Sequence, residues 1–153
     1  MTAAPFSRHQ FISRNLEYIL HQYCLENNWG EVLYAPIAVI FSHTDIVEPD
    51  LVFIRKKHEK RIQEKGIVGS PDLIVEILSP STEKIDRTIK KKLYARYGVA
   101  EYWLVDTDNK YAEILLLEKN NYKRKGIATD TFQSDLFPGL TIELRQVFKG
   151  TEI

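Results

Sequence analysis

The feature that most limits how this chain can fold is the run DLIVEIL at residues 72–78, where one acid stands among aliphatic side chains. An aliphatic run of this kind is typical of a central strand that is covered on both faces. Glu76 lies inside the run, and burying an ionised carboxylate is costly unless it is paired with a cation or bound to a metal ion. The run therefore predicts a central strand that carries either a functional acid or a structural ion pair to a helix lysine or arginine.

A second acid, Asp50, follows Pro49 near the start of a strand predicted over residues 47–54. Two antiparallel strands joined by a loop can place Asp50 beside Glu76, and two convergent carboxylates with a main-chain carbonyl suit Mg²⁺. Such an ion polarises a phosphodiester and activates a water for attack. We therefore predict that Asp50 and Glu76 are catalytic acids that bind Mg²⁺ or Mn²⁺. Asp72 repeats the Pro-Asp pair, but it lies two pleats from Glu76, so we give it only a supporting role.

A basic helix is predicted over residues 82–97, ending before Gly98. Within it Asp86, Lys90 and Tyr94 are spaced by four and so form one row on the helix surface. A lysine near the end of the acidic strand could orient the attacking water or stabilise charge on a phosphate. We therefore predict Lys90 as a third catalytic residue, positioned by Asp86 and Tyr94; the alternative is a solvated charge run with a helical ion pair. An apolar row lies beside it and comprises Ile85, Ile89 and Leu93.

The remaining pattern mixes helices with strands and predicts one α/β domain over residues 1–153. Apolar residues recur at helical spacing along residues 7–27, and the charged segment at residues 55–66 fits a surface loop or a short helix. Further strands are predicted at residues 101–106, 111–118 and 122–127. Four histidines lack metal-ligand spacing and are interpreted as surface or helix-cap residues: His9, His21, His43 and His58.

The charge balance argues against nucleic-acid binding by bulk charge, because 21 basic residues are matched by 21 acidic residues. Basic side chains still cluster on the predicted helix, where we expect Lys84, Arg87 and Lys91 to contact a nucleic acid. The single cysteine, Cys24, rules out a disulfide within the chain and suits a reducing compartment. With no apolar signal core and no apolar run long enough to cross a membrane, the sequence predicts a cytoplasmic protein.

Several blocks of the sequence resemble the Uma-two family of bacterial restriction endonucleases, within the PD-(D/E)XK nuclease superfamily. The matching blocks are EPDLVFI at residues 48–54, PDLIVEILSPST at 71–82, Asp86 with Lys90 and Tyr94, and YGVAEYWLVD at 97–106. The resemblance covers nearly the whole chain. It implies a restriction-endonuclease-like fold, with a mixed central β-sheet flanked by α-helices, and phosphodiester hydrolysis with Mg²⁺. It also places the superfamily's first acid at Asp50 and its second at Glu76.

The chain departs from that pattern in two places. The superfamily's lysine normally lies two residues after the second acid, where this chain has Leu78, and the match is Lys90 on the following helix. Family members usually carry a further N-terminal segment before the part that matches residues 4–9. The first hypothesis is a Mg²⁺-dependent endonuclease acting on duplex DNA, with a homodimer favoured if both strands are cut. Two alternatives stay open: an inactive nuclease fold that binds nucleic acid or protein, and a structural subunit in which Glu76 is paired with a helix lysine.

Overall fold

The computed structural model describes residues 6–153, and its first element is a long helix, α1 (Ser7–Asn27). Ile12, Leu16 and Leu20 recur along one face of α1 and are buried, as the helical spacing predicts. The helix ends at Asn28, which takes the left-handed conformation with a φ of 48°. Asparagine tolerates that conformation better than most residues, so it stops the helix where the sequence predicts.

A six-stranded sheet forms the centre of the fold. Its strands are β1 (Gly30–Tyr34), β4 (Leu51–Arg55), β7 (Leu73–Leu78), β8 (Glu101–Asp106), β9 (Tyr111–Glu118) and β10 (Asn121–Ala128), and they lie side by side in that order. The pair β7 and β8 runs parallel, whereas the other neighbours are antiparallel. The sheet is therefore mixed and mainly antiparallel, with helices packed on it, which confirms the predicted α/β class.

Shorter elements lie around this sheet. They are β2 (Val39–Ile40), β3 (Ile46–Val47), a 3₁₀ helix (Lys56–Arg61), β5 (Ile62–Gln63), β6 (Gly66–Val68), β11 (Thr131–Phe132), β12 (Ile142–Glu143) and a last helical turn, α4 (Leu144–Val147). The prediction of one strand over residues 47–54 is wrong, because β3 ends at Val47 and β4 begins at Leu51. Pro49 lies between them and has no N–H with which to continue the pairing.

The helix predicted over residues 82–97 is divided into two, α2 (Glu83–Arg87) and α3 (Ile89–Arg96). Thr88 lies between them with a φ of −120° and a ψ of −80°, and its hydroxyl donates to the carbonyl oxygen of Lys84. A threonine that bonds the carbonyl four residues earlier bends a helix. The single-helix prediction is wrong for this reason.

The apolar row of these two helices is only partly buried. Leu93 packs against the core, whereas the side chains of Ile85 and Ile89 are exposed. The side of α2 and α3 that faces the sheet is instead marked by Asp86 and Tyr94, which are both buried.

Alternation along β7 decides where its acid points. Its odd-numbered residues join the core on the α1 face and its even-numbered apolar residues join the core on the α3 face: Leu73, Val75 and Ile77 on the first, Ile74 and Leu78 on the second. Glu76 therefore points toward α3. By the same alternation in β4, Asp50 shares that face with Val52 and Ile54. No helix within residues 6–153 is both long and apolar enough to cross a membrane.

Candidate active site

Two acids meet at one end of the sheet, where β4 begins and β7 ends. In the antiparallel register of these strands Leu51 lies opposite Val75. Asp50 and Glu76 are therefore neighbours. The backbone N–H of Asp50 donates to Glu76 Oε1 at 3.1 Å, and the N–H of Ile77 donates to Asp50 Oδ2 at 2.8 Å. These bonds continue the strand pairing through side chains and hold both carboxylates in place.

The second oxygen of Glu76 is held from α3. Lys90 Nζ donates to Glu76 Oε2 at 3.0 Å, and the hydroxyl of Tyr94 donates to the same oxygen at 2.8 Å. Asp86 Oδ1 also lies 3.0 Å from Lys90 Nζ, so Asp86 and Glu76 share this ammonium group. The structure thus brings together five of the predicted site residues: Asp50, Glu76, Asp86, Lys90 and Tyr94.

The charges in this cluster are unbalanced. The side chain of Glu76 is only 3% exposed, and burial raises its pKa from 4.5 to about 7, with Lys90 opposing the rise and Asp50 and Asp86 adding to it. Burial also raises the pKa of Asp86. Glu76 and Asp86 therefore share a single ammonium group, and a further cation would favour their ionised forms.

A histidine predicted to lie at the surface also reaches the site. His9, in the first turn of α1, has its Nε2 at 3.0 Å from Asp50 Oδ1. Its Nδ1 is buried and has no hydrogen-bond partner among residues 6–153. Burial acts to lower the pKa of His9, but Asp50, together with the charges of Glu76 and Asp86, outweighs it and raises that pKa above its ordinary value. The surface or helix-cap interpretation of His9 is therefore wrong.

The cluster opens into a cavity of about 760 Å³. Its five acidic lining residues outnumber its three basic ones; the acids are Glu48, Asp50, Glu76, Asp86 and Asp108, and the bases are Arg8, His9 and Lys90. Arg8 is already engaged, because it donates to two backbone carbonyl oxygens at the C-terminal end. A cavity of this size accommodates a small organic ligand. An anionic phosphate would nevertheless meet excess negative charge there unless a cation accompanied it.

The oxygen atoms of the two acids fit a hard divalent cation. A carboxylate oxygen has two acceptor positions. Glu76 Oε2 accepts from both Lys90 and Tyr94 and is filled, whereas Glu76 Oε1 and both oxygens of Asp50 accept one bond each. Within residues 6–153 no group of three or more His, Cys, Asp or Glu side chains could hold a metal ion by itself. Mg²⁺ is commonly held by only one or two carboxylates, with water and substrate phosphate completing its coordination, so this donor set suits it.

Asp72 lies at the opposite end of β7 from this cluster. Its carboxylate accepts from the N–H of Arg55 at 2.8 Å and lies 2.9 Å from His58 Nδ1. His58 is 26% exposed on the 3₁₀ helix, in keeping with the surface interpretation, and its Nδ1 pairs with this buried acid. The contacts of Asp72 join the 3₁₀ helix to β7. They hold Asp72 away from the ion that Asp50 and Glu76 could bind.

The three basic residues predicted to contact a nucleic acid have different surroundings. Arg87 is bound within the protein, since it donates to Glu83 and Glu113, each at 2.9 Å, and to a tyrosine hydroxyl. Lys84 is exposed and Lys91 is partly exposed. Neither lysine forms an ion pair with any residue of the described part of the chain, so both ammonium groups are available to a ligand.

Comparison with known proteins assigns the fold and then the family. A crystal structure described as that of "a putative nuclease belonging to DUF820", from Anabaena variabilis, matches with a TM-score of 0.77 and 16% sequence identity, over 97% of this chain and 84% of that chain. The domain therefore has a nuclease-like fold. The family model Uma2, described as "Putative restriction endonuclease", matches residues 1–145. The chain belongs to the Uma2 family, which confirms the resemblance seen in the sequence. No curated protein matches the chain.

Proposed function

We propose that this chain is a metal-dependent endonuclease that hydrolyses phosphodiester bonds in DNA. The observation that carries the proposal is a pair of neighbouring carboxylates, Asp50 and Glu76, each held by a backbone N–H and lining a negatively charged cavity beside Lys90. Membership of a restriction-endonuclease family supports nuclease chemistry at this site. The excess of acids supports a cation there, because it would otherwise repel a phosphate.

Each residue has a distinct part in this proposal. Asp50 and Glu76 would hold Mg²⁺ or Mn²⁺. A bound ion of this kind polarises a phosphodiester and lowers the pKa of a bound water. Lys90 has three N–H donors and uses one on Glu76, so another can bind a water or a phosphate oxygen. Tyr94 donates to the same oxygen of Glu76 as Lys90 does. The charge of Asp86 keeps the ammonium group of Lys90 beside that oxygen.

Lys84 and Lys91 offer ammonium groups to a nucleic acid on the helices that border the cavity, and membership of a restriction-endonuclease family favours DNA as the substrate. Phosphate contacts of this kind provide affinity without reading sequence. Lys57 and Lys60 are matched control lysines for Lys84 and Lys91. They lie on the 3₁₀ helix that follows β4, at the other end of the strand from Asp50. Cutting both strands of a duplex would favour a homodimer, which supplies two sites. We place the activity in the cytoplasm, in keeping with the single cysteine.

Two observations favour a second candidate, an inactive nuclease fold that binds nucleic acid or protein or serves as a structural subunit. Glu76 is already paired with Lys90 and bonded to Tyr94, so its charge is partly compensated without an ion. Leu78 also occupies the position where the superfamily usually has its lysine. If this candidate is correct, the cluster only stabilises the fold. Substitutions in the cluster would then change the free energy of unfolding, and there would be no nuclease activity for them to change.

The test is cleavage of supercoiled plasmid by the purified protein with Mg²⁺ or Mn²⁺, with EDTA as the metal-free control. We expect nicking that needs the ion and is lost in Glu76→Ala and Asp50→Asn, while Glu64→Gln, which changes an exposed acid, cuts like the wild type. Absence of cutting by the wild type, together with absence of ion binding in calorimetry, would support the inactive fold instead.

A further inference from the structure

His9 approaches Asp50 from α1, whereas Lys90 and Tyr94 approach Glu76 from α3. The imidazole Nε2 lies 3.0 Å from Asp50 Oδ1. An ionised carboxylate only accepts hydrogen bonds, so at this distance a proton on Nε2 would be shared with Asp50. Asp50 is therefore held at both oxygens, by the imidazole at Oδ1 and by the N–H of Ile77 at Oδ2.

The turn that carries His9 is itself anchored. Arg8 donates to two carbonyl oxygens in residues 151–153, at 2.8 and 2.6 Å. Asn15, two turns further along α1, donates to two carbonyl oxygens in residues 147–149, both at 2.9 Å. These bonds fix the start of the helix against the C-terminal part of the fold. The backbone that carries His9 is consequently held in place beside Asp50.

We infer that His9 is a positioning residue, whose Nε2–H fixes Asp50 in the orientation that ion binding requires. The inference rests on the proposed function and adds a residue from α1 to it. Asp50 is 20% exposed, so without this bond its Oδ1 could turn toward solvent. Groups that hold a metal-binding side chain in place typically change metal affinity or activity about 10- to 100-fold when removed. We expect a loss of that size on removal of the imidazole.

The test uses four variants of the full chain. In His9→Ala the bond to Asp50 is lost. In His9→Gln the amide nitrogen reaches about as far as Nε2, whereas in His9→Asn it reaches only as far as Nδ1, so the first variant can donate to Asp50 and the second cannot. His21→Ala is the matched control, because His21 lies on the same helix and does not line the cavity. Mn²⁺ affinity is measured by calorimetry, and plasmid nicking is measured with and without added imidazole.

We expect Mn²⁺ affinity to fall about 10- to 100-fold in His9→Ala and His9→Asn, and to recover largely in His9→Gln. Imidazole should restore nicking to His9→Ala, and His21→Ala should behave like the wild type. Wild-type Mn²⁺ affinity in His9→Ala would overturn the inference. So would equal losses in the Gln and Asn variants without restoration by imidazole, because that pattern marks a role in packing. A wild type that neither binds Mn²⁺ nor nicks overturns the proposed function and this inference with it.

Discussion

Replacing Glu76 by glutamine should change the pH dependence of stability in a way that reports the burial of this acid. Burial raises the pKa of Glu76 in the folded protein to about 7, from 4.5 for a solvated glutamate. Folding therefore favours the protonated form. The stability that this preference contributes is fully present below the pKa of Glu76 in the unfolded chain. It is lost as the pH rises through the pKa of Glu76 in the folded protein. Glutamine stays neutral, so the Glu76→Gln variant lacks this loss.

The size of the effect follows from the two pKa values. Each tenfold change in proton affinity is worth about 1.4 kcal/mol, so ionisation of Glu76 lowers the free energy of unfolding by about 3 kcal/mol near pH 8, and by about 1 kcal/mol near pH 5. Glutamine has one acceptor oxygen, so it loses a hydrogen bond worth about 1 kcal/mol at either pH. Comparing two pH values removes that constant cost. Relative to the wild type, the variant should gain about 2 kcal/mol between pH 5 and pH 8.

The assay is urea unfolding of both proteins at the two pH values, with EDTA present so that no ion is bound. Glu64→Gln serves as the control, since that glutamate is exposed and should show no such gain. Free energies of unfolding that change with pH in parallel for the wild type and Glu76→Gln would refute the reasoning. They would mean that the buried acid is ionised at no cost, and that Lys90 compensates its charge fully.

Three further variants have expected outcomes. Lys90→Met leaves its buried carboxylate partners without a countercharge and should lower the free energy of unfolding by about 3 kcal/mol in the metal-free protein; Lys92→Met, at an exposed position, should cost far less, and equal values would contradict the ion pair. Arg87→Met should lower stability by about 2 kcal/mol in thermal unfolding while leaving DNA affinity nearly unchanged; a large affinity loss would restore its predicted role in DNA contact. Changing Lys84 and Lys91 together to glutamine should make the slope of log affinity against log salt shallower by about 2, measured by fluorescence anisotropy with a duplex; an unchanged slope would show that neither touches phosphate.

The sequence predicts the central pair of acids well because two simple rules act together. Alternation in β4 and β7 puts Asp50 and Glu76 on one face, and antiparallel pairing brings them to the same end of the sheet. The row of Asp86, Lys90 and Tyr94 depends only on helical spacing, and the bend at Thr88 leaves the contact between Asp86 and Lys90 intact. Alternation and helical spacing are local and can be predicted without knowing how distant segments pack, whereas the pairing of β4 with β7 joins segments that lie apart in the chain.

The contribution of His9 could not be predicted in the same way, since it depends on where α1 lies across the end of the sheet. One signal was available: His9 stands one turn before Ile12 and extends the buried stripe of α1, a position where a polar residue needs a partner. The break at Thr88 had no comparable signal, because helical spacing continues through it. The exposure of Ile89 follows from that break and from how α3 packs on the sheet, which helical periodicity does not encode.

The most direct measurement is the anomalous diffraction of Mn²⁺ in crystals of the wild-type protein. We predict a single strong peak within bonding distance of Asp50 and of Glu76 Oε1, with Glu76 Oε2 still accepting from Lys90 and Tyr94. An empty site at saturating Mn²⁺, or an ion bound elsewhere while the contacts of Asp50 and Glu76 stay unchanged, would contradict the assignment of these two acids as a metal site.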